Sequence, residues 1–315
     1  MDEKPSSGAT KARESLVAAC DRAIVELAGR DPGVAVFSDV RIEGFNSGFA
    51  DRFPERFQAP PRAGGSVVEA AVAHAHRGGT AFAFIDTRTV GQLPYGSLWT
   101  WLGAAKVNVN LVARHPEFGS GGEGRSVATD LGTLRGIPGM TVVVPGDAPT
   151  AGEAITVLAQ VVGPAYLRVT EAPLPRLSDG SLTLGKANEL RAGNDLTIAA
   201  IGRMLAPACE VAEEFHRVGV EVRVLDCVSL QPADSKAILR AARETGAILT
   251  MEEHSTLTGL GALVATITAE SYPVPVRRIG IPPVTGLGEA TGTVVSASHA
   301  RDEAWELLRM RGKVH

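Results

Sequence analysis

The sequence contains few cysteines, few aromatic residues and no long apolar segment. Its 315 residues include three cysteines, and aromatic side chains make up 5% of the total. Cys20, Cys209 and Cys227 form an odd, widely separated set, and each lies within an apolar helix or strand pattern. Such a set is typical neither of a disulfide framework nor of a metal centre, and it predicts small buried side chains in a reducing compartment.

Membrane and nucleic-acid partners are disfavoured by the same composition. No apolar run approaches the roughly 20 residues that span a bilayer. The opening segment, MDEKPSSGATKARES, lacks the apolar core of a secretory signal. The net charge is −4 and basic residues are not clustered, which argues against nucleic acid as a partner. We therefore expect a cytoplasmic protein that binds neither membrane nor nucleic acid.

Strand and helix patterns alternate along almost the whole chain. Apolar runs typical of buried strands are separated by segments with helical spacing of apolar residues, and the alternation resumes after a segment rich in Pro and Gly. This alternation of strands and helices predicts an α/β fold with two domains, each a parallel or mixed sheet between layers of helices. The predicted divisions are a flexible tail at 1–11, domains at 12–172 and 195–315, and a linker at 173–194.

The stretch at 119–151 is the most distinctive, with the sequence GSGGEGRSVATDLGTLRGIPGMTVVVPGDAPTA. A Gly-rich loop with one carboxylate, Glu123, leads into a predicted short helix, a turn and an apolar strand. It resembles the pyrimidine-binding half of transketolases, where the pattern GEDGPTHQ…LASLRAIPNLTVIRPAD covers thiamine diphosphate. Residues 122–123 and 131–147 match the two ends, and the GPTH piece is replaced by the shorter 124–128.

The second half of the chain resembles the C-terminal domain of transketolases. The segments DLTIAAIGRML, VRVLD, ETGAILTMEEHSTLTGLG and RIGIP stand where that family has DVTIIATGSMV, VRVIDM, ETGAIVTVEEHNIIGGLG and RIGIP. The resemblance thus covers nearly the whole chain. It implies a transketolase pyrimidine-binding domain followed by a transketolase C-terminal domain.

One position of the cofactor wall departs from the family. The segment DRFPERF at 51–57 resembles the family's KDFPDRF, and the alignment continues without a gap to 78–79. In that register the catalytic glutamate of the family falls on Gly64, next to Gly65. The glutamate hydrogen-bonds the aminopyrimidine ring and promotes deprotonation of the cofactor, which glycine cannot do. Glu69, predicted in the first turn of the next helix, is either a capping residue or a substitute that reaches the cofactor.

Further cofactor contacts are implied where the predicted strand at 80–85 ends. Asp86 and Arg88 stand at the opening of the site, and Thr89 falls near the aromatic residue that packs on the pyrimidine ring in the family. Asp86 and Arg88 either bind a polar ligand or pair with each other. The resemblance implies cofactor contacts at Gly64, Gly65 and Thr89. Position at the end of the strand makes Asp86 a further candidate cofactor contact and Arg88 a candidate substrate contact.

The remaining substrate contacts follow from three matches. His115 matches a histidine that approaches substrate, and it joins Glu69 as a candidate catalytic residue. Glu123 falls at or beside the acid that contacts substrate hydroxyls, and Arg168 matches the arginine of GPVYIRL, which contacts the substrate phosphate. The alternatives are a loop histidine at 115 and, for Arg168, an internal salt bridge with Glu171 or Asp147.

The diphosphate-binding half of the family's site has no counterpart in this sequence. Its GDG motif, followed by an Asn about 30 residues later, is absent. The resemblance therefore implies a partner, the N-terminal type of transketolase subunit, which binds the diphosphate and its Mg²⁺ or Ca²⁺. Thiamine diphosphate would lie between the two chains, and two such pairs would form an α2β2 complex.

The function implied is that of one subunit of a split, thiamine-diphosphate-dependent transketolase. Such an enzyme moves a ketol or acyl unit between small carbonyl compounds, and this chain would act only with its partner. Two alternatives stay open. One is a catalytically silent scaffold or regulatory subunit, and the other is a subunit like 1-deoxyxylulose-phosphate synthase or the β subunit of a 2-oxo acid dehydrogenase.

Overall fold

Two β-sheets flanked by helices account for most of the chain. The computed structural model describes residues 13–39, 41–60, 65–103, 106–115, 129–282 and 296–313. The first sheet has seven strands, namely β2 (Val34–Phe37), β3 (Phe57–Gln58), β4 (Thr80–Asp86), β5 (Val109–His115), β6 (Thr141–Val143), β7 (Ala165–Thr170) and β12 (Ser229–Gln231). Their order across the sheet is β12-β6-β7-β5-β4-β2-β3. All neighbours are parallel except β12, which runs antiparallel to β6.

Helices cover both faces of the first sheet. They are α1 (Leu16–Arg30), α2 (Ser47–Arg52), α3 (Gly65–Ala75), α4 (Thr87–Gln92), α5 (Tyr95–Leu98), α6 (Asp130–Arg135) and α7 (Ala148–Ala159). Apolar residues of α1 and α7 pack with one face of the strands, and those of α3 and α6 pack with the other. Because both faces are buried, the central strands are continuous apolar runs instead of alternating ones, as in other parallel sheets.

The second sheet has five strands in the order β14-β13-β10-β11-β9. They are β9 (Asn188–Arg191), β10 (Leu196–Ala200), β11 (Val222–Asp226), β13 (Ile248–Ser255) and β14 (Val276–Ile281), and only β9 pairs in antiparallel fashion. Its helices are α8 (Leu205–His216), α9 (Ser235–Thr245), α10 (Leu260–Ser271) and α11 (Ala297–Met310). α8 and α11 pack on one face. Apolar residues of α9 and α10 belong to the same cluster as those of α3 and α6, so one core joins the two halves.

The connections also carry regular structure. β1 (Arg13–Ser15) pairs with β8 (Pro173–Pro175) in a two-stranded antiparallel ribbon. β8 and β9 both fall in the segment predicted as a linker. Single helical turns follow α2 and α5 and precede α8, at Pro54–Arg56, Trp99–Gly103 and Gly202–Met204, and the middle one is a π-helical turn.

The α/β class predicted from the sequence is confirmed, with helices on both faces of two mixed sheets. The exact domain limits, 12–172 and 195–315, stay a prediction, since the strand β12 belongs to the first sheet in space and to the second half in sequence. In the parts of the chain that the structure describes, no helix combines the length and the apolar character needed to cross a bilayer.

Candidate active site

The carboxyl edge of the first sheet gathers polar side chains from three neighbouring strands. β4 ends at Asp86, β5 at His115 and β7 at Thr170. The register pairs Asp86 with Arg114 and His115 with Thr170. Ligands of parallel α/β sheets bind outside this edge. The residues predicted from the sequence as substrate or cofactor contacts at 86, 88 and 115 therefore lie where a ligand is expected.

Strand alternation divides these side chains between the two faces of the sheet. Tyr166 belongs to the apolar cluster shared with α3, whereas Leu167 and Val169 belong to the cluster shared with α1. Since side chains alternate along a strand, Arg168 projects on the Tyr166 face. Residues 113 and 111 of β5 belong to the same cluster as Tyr166, which places His115 on that face as well. Asp86 and Arg114 lie on the opposite face.

Arg168 is buried and bound by three different elements. Its side chain is 5% exposed, and its Nε forms an ion pair with Asp130 at 3.1 Å. Nη1 donates a 3.0 Å hydrogen bond to the backbone oxygen of Glu253 on β13. Nη2 lies 3.1 Å from Nδ1 and 3.3 Å from Nε2 of His115. The guanidinium therefore links α6, the end of β5 and the second sheet.

Asp130 is the counter-ion of this cluster and is itself fully buried. The hydroxyl of Tyr166 donates a 2.6 Å hydrogen bond to Asp130 Oδ2. His254 Nε2 lies 3.6 Å from the other carboxylate oxygen, too far for a hydrogen bond. We call Asp130, Tyr166, Arg168, His115 and His254 the buried arginine cluster.

Both histidines of the buried arginine cluster are held neutral. Burial, with Arg168 as the next cause, pushes the pKa of His115 well below its usual range. Burial lowers the pKa of His254 to about 4, against the opposing pull of Asp130. Burial, followed by the charge of Asp130, raises the pKa of Tyr166 well above its usual value. At neutral pH the cluster thus holds one guanidinium, one carboxylate and neutral rings, which limits the cost of burying charge.

A small cleft opens beside the cluster at the junction of the two halves. It has a volume of about 20 Å³, close to the space that one water needs. Its polar lining includes His115, Arg168, Thr170, Arg203 and Glu253. Arg203 Nε forms an ion pair with Glu253 Oε1 at 3.2 Å. The second sheet therefore contributes charged groups to the edge where His115 lies.

A second charged group lies on the opposite face. Arg88 binds Asp86 in bidentate fashion, with Nε at 2.9 Å from Oδ1 and Nη2 at 3.1 Å from Oδ2. Asp86 also caps α4 by accepting a hydrogen bond from the backbone N–H of Arg88. Arg114 lies between Glu171 at 2.5 Å and Asp86 at 3.4 Å. Of the two possibilities raised by the sequence, the structure shows Asp86 and Arg88 paired with each other.

The other predicted residues are dispersed. Gly65 begins α3, and a Cβ added there would meet Leu93 at 3.2 Å and Trp101 at 3.5 Å, so an apolar wall covers it. Glu69 is exposed on α3, and Thr89 is half-buried in α4. Gly64 and Glu123 lie outside the described residues.

The residues predicted to contact thiamine diphosphate do not include a free carboxylate that could replace the family's catalytic glutamate. Of the residues assigned to thiamine diphosphate, only Asp86 carries a carboxylate, and both of its oxygens are held by Arg88. Glu69 is exposed on the helix that follows Gly65. The role of Glu69 toward the cofactor therefore stays a prediction. The described residues also contain no group of three or more His, Cys, Asp or Glu side chains that could hold a metal ion.

Sequence reasoning missed part of the buried arginine cluster. The alternative to substrate contact at Arg168 was an internal salt bridge with Glu171 or Asp147, and the structure shows an internal salt bridge with Asp130 instead. Glu171 is three residues from Arg168 and so projects on the other face, where it binds Arg114. Asp147 caps α7 and binds the backbone of 177–178. The alternation of side chains along β7 would have excluded Glu171 as a partner of Arg168. Asp130 and His254 could not be predicted, because only the fold brings them into the cluster.

Comparisons with known proteins agree on one family. Residues 185–295 match the family model described as transketolase, C-terminal domain. The chain is 36% identical over 270 residues to one subunit of the apulose-4-phosphate transketolase of Phocaeicola vulgatus, a match that covers 82% of this chain and 85% of that protein. It is 34% identical over 235 residues to the SqwH subunit of the 6-deoxy-6-sulfo-D-fructose transketolase of Clostridium sp. strain MSTE9, covering 69% and 72%.

Solved structures extend the match to the fold. A structure titled split gene transketolase, inactive beta4 tetramer, superposes with a TM-score of 0.86 at 29% identity, covering 95% of this chain and 99% of that one. Transketolase from Leishmania mexicana superposes with a TM-score of 0.74 at 16% identity, covering 97% of this chain and 47% of that one, which shows a shared fold. The resemblance inferred from sequence motifs is thereby confirmed.

Proposed function

Because this chain belongs to the transketolase family, we propose that it is the pyrimidine-binding subunit of a two-chain transketolase. The proposal is carried by one observation, the 36% identity that extends over 85% of a protein that is itself one subunit of a transketolase. The TM-score of 0.86 to a split-gene transketolase over nearly its full length supports it. The partner is a subunit of the N-terminal type that binds the diphosphate and its metal ion, in an α2β2 complex.

The reaction is the transfer of a ketol or acyl unit between carbonyl compounds. Transketolases depend on thiamine diphosphate, which supplies the electron sink for breaking and forming the carbon–carbon bond. The names of the two relatives specify a sugar phosphate and a sulfonated sugar. We extend that feature to this chain and propose a donor with an anionic terminus.

The site's own residues support binding and orientation of such a donor. His115 is neutral, and a neutral imidazole both accepts and donates hydrogen bonds, which suits a substrate hydroxyl. Arg88 is 36% exposed in its side chain and carries a guanidinium fork. A phosphate or sulfonate that reaches this edge would compete with Asp86 for that fork.

A catalytically silent subunit is the second candidate. Glycine at position 64 and the pairing of Asp86 with Arg88 leave the assigned cofactor wall without an available carboxylate. A chain that shapes or regulates a complex would tolerate that loss. The two candidates differ in whether a complex of this chain turns over a ketol donor.

The test is co-expression with a partner chain that carries the GDG motif and its downstream Asn. The purified complex is assayed for thiamine diphosphate binding by calorimetry and for transfer from hydroxypyruvate to a short aldehyde, with this chain alone and the partner alone as controls. Saturable binding and turnover by the complex only are expected. A stable complex that neither retains the cofactor nor turns over a donor would refute the enzyme and leave the silent subunit. Replacing hydroxypyruvate by pyruvate separates ketol transfer from acyl transfer.

A further inference from the structure

The buried arginine cluster connects the second sheet to the substrate edge of the first through one side chain. Arg168 forms an ion pair with Asp130 on α6 and donates a hydrogen bond to the backbone oxygen of Glu253 on β13. The same guanidinium contacts His115, the last residue of β5. His115 lines the cleft at the junction of the two halves.

Direct contact with substrate does not account for this arrangement. All three nitrogens of the Arg168 guanidinium are engaged with protein atoms: Nε forms the ion pair with Asp130, Nη1 binds the Glu253 carbonyl and Nη2 contacts His115. A substrate phosphate would have to displace at least one of these partners and leave Asp130 or the Glu253 carbonyl buried without its cation. Stranding a buried partner in this way is strongly unfavourable.

We propose that Arg168, anchored by Asp130, is a positioning residue that fixes the orientation and tautomer of His115 at the substrate edge. The inference rests on the proposed function and adds to it a residue that acts through another. An arginine cannot give up its proton, so it can only donate to the histidine ring. Nη2 lies within 3.3 Å of both ring nitrogens, and the nitrogen that accepts from it carries no proton, so the ring proton is held on the other nitrogen.

The surroundings of His115 favour that neutral state. Burial is the largest cause, followed by the positive charges of Arg168 on β7 and of Arg203 in the turn before α8. His254 on β13 also faces the ring and is itself neutral near pH 7. The counter-ions, Asp130 and Glu253, bind the arginines themselves. A protonated ring would have no lone pair to accept from Arg168, so the contact and the neutral state support each other.

The fork of arginine is needed because its three partners lie in different directions. A lysine at 168 keeps the positive charge, but its single ammonium cannot span Asp130, the Glu253 carbonyl and His115 in the same way. Arg168→Lys therefore keeps the positive charge near His115 but removes the contacts that orient its ring. Arg168→Met removes both while keeping an unbranched side chain.

Arg223 provides a matched control in the second sheet. Its side chain is 6% exposed and pairs with Glu189 and Glu244, so Arg223→Met also removes a buried guanidinium from between carboxylates. It lies on β11 and is bound by partners outside the buried arginine cluster. A loss of stability common to both variants is thereby distinguished from an effect on His115.

The first measurement is a pH titration of the imidazole nitrogens of the full-length chain by two-bond ¹H–¹⁵N correlation spectra. The signal of His115 is assigned by its loss in His115→Gln. In the wild type and Arg223→Met we expect a single neutral tautomer throughout the neutral range. In Arg168→Met the pKa of His115 should rise by about one unit or more, because a nearby positive charge is gone. In Arg168→Lys the pKa should stay low while the second tautomer appears.

An unchanged tautomer and pKa of His115 in Arg168→Met would overturn the proposal. If that variant does not fold, an unchanged tautomer in Arg168→Lys has the same consequence. The second measurement uses the complex with its partner. If Arg168→Met lowers kcat about tenfold or more relative to the wild type while the KM for the donor stays within about twofold, the result supports a positioning role for Arg168. A raised KM with unchanged kcat would show substrate contact instead. If every variant and the wild-type complex are inactive, the proposed function fails, and the titration alone decides the role of Arg168.

Discussion

The side chain of Gln231 donates a 2.9 Å hydrogen bond to the backbone oxygen of Met140, 91 residues earlier in the chain. Gln231 ends β12, the strand that the second half of the chain adds to the edge of the first sheet. Leu230, at its centre, is buried in the apolar cluster that both halves share. The two halves thus share a sheet edge and a core, and the site lies where they meet.

This shared edge predicts the effect of truncating Leu230. Leu230→Ala should lower the free energy of unfolding by about 2–4 kcal/mol, because a fully buried leucine loses its contacts and leaves a cavity. Denaturant unfolding monitored by far-UV circular dichroism measures the change. Leu257, which is 56% exposed, is the control, and Leu257→Ala should change stability by less than about 0.5 kcal/mol. Equal effects of the two substitutions would show that β12 does not hold the halves together.

A buried carboxyl predicts how stability depends on pH. Burial raises the pKa of Asp226 to about 7, and the nearby charge of Asp147 adds to the effect. The unfolded chain has the ordinary aspartate pKa of about 3.9, so the folded state binds the proton more tightly. The resulting stabilisation is complete below about pH 4 and is lost as the pH rises through 7.

Asp226→Asn removes this dependence. Relative to the wild type, the variant should gain stability when the pH is raised from about 5 to about 8, as measured by urea unfolding at both values. Burial also raises the pKa of Glu252 to about 7. Because both proteins retain Glu252, its contribution to the pH dependence cancels in the comparison. Glu210→Gln, at an exposed position on α8, serves as a control for removal of a carboxylate. The same pH dependence in Asp226→Asn and wild type would contradict the prediction.

The core of the fold was predictable because local patterns determine it. The strand expected at 80–85 is observed at Thr80–Asp86. β12 was not predicted, since three residues carry no periodicity and their pairing partner lies far away in sequence.

The site was predictable only at the ends of strands. Asp86 and His115 lie at the carboxyl edge as the strand pattern and the family motifs indicated. The surroundings of His115 were not visible in the sequence, because Asp130 and the Glu253 carbonyl reach its partner Arg168 from α6 and from the second sheet. Glu253 and His254, neighbours on β13, supply two contacts of the cluster, through the Glu253 carbonyl and the His254 ring.

The pairing of Arg88 with Asp86 predicts an effect on anionic donors. Arg88→Met should raise the KM for a phosphorylated donor by about tenfold, because a guanidinium fork that a phosphate shares with Asp86 is lost. The KM for hydroxypyruvate, which lacks the terminal phosphate, should change by less than about twofold. Thermal stability should change little, since partly exposed ion pairs contribute about 0–1 kcal/mol. Steady-state kinetics of the partner complex with both donors provides the measurement. Equal changes in KM for the two donors would remove Arg88 from the anion-binding site.

Glycine at position 64 predicts a gain of activity on restoring the acid. Position 64 lies outside the described residues, so the prediction rests on the sequence match, which places the family's catalytic glutamate there. In the complex with its partner, Gly64→Glu should raise kcat for transfer from hydroxypyruvate by about tenfold or more, because a positioned acid–base group contributes on the order of 100-fold or more. The control is Gly65→Glu, one residue along, where a Cβ would lie 3.2 Å from Leu93 and a carboxylate would be introduced against an apolar wall. We expect no gain from Gly65→Glu. An intact, cofactor-bound Gly64→Glu complex with the same activity as wild type would contradict the prediction. If the wild-type complex turns over the donor, the site works without a carboxylate at position 64. If the wild-type complex is inactive, there is no transferase activity to restore.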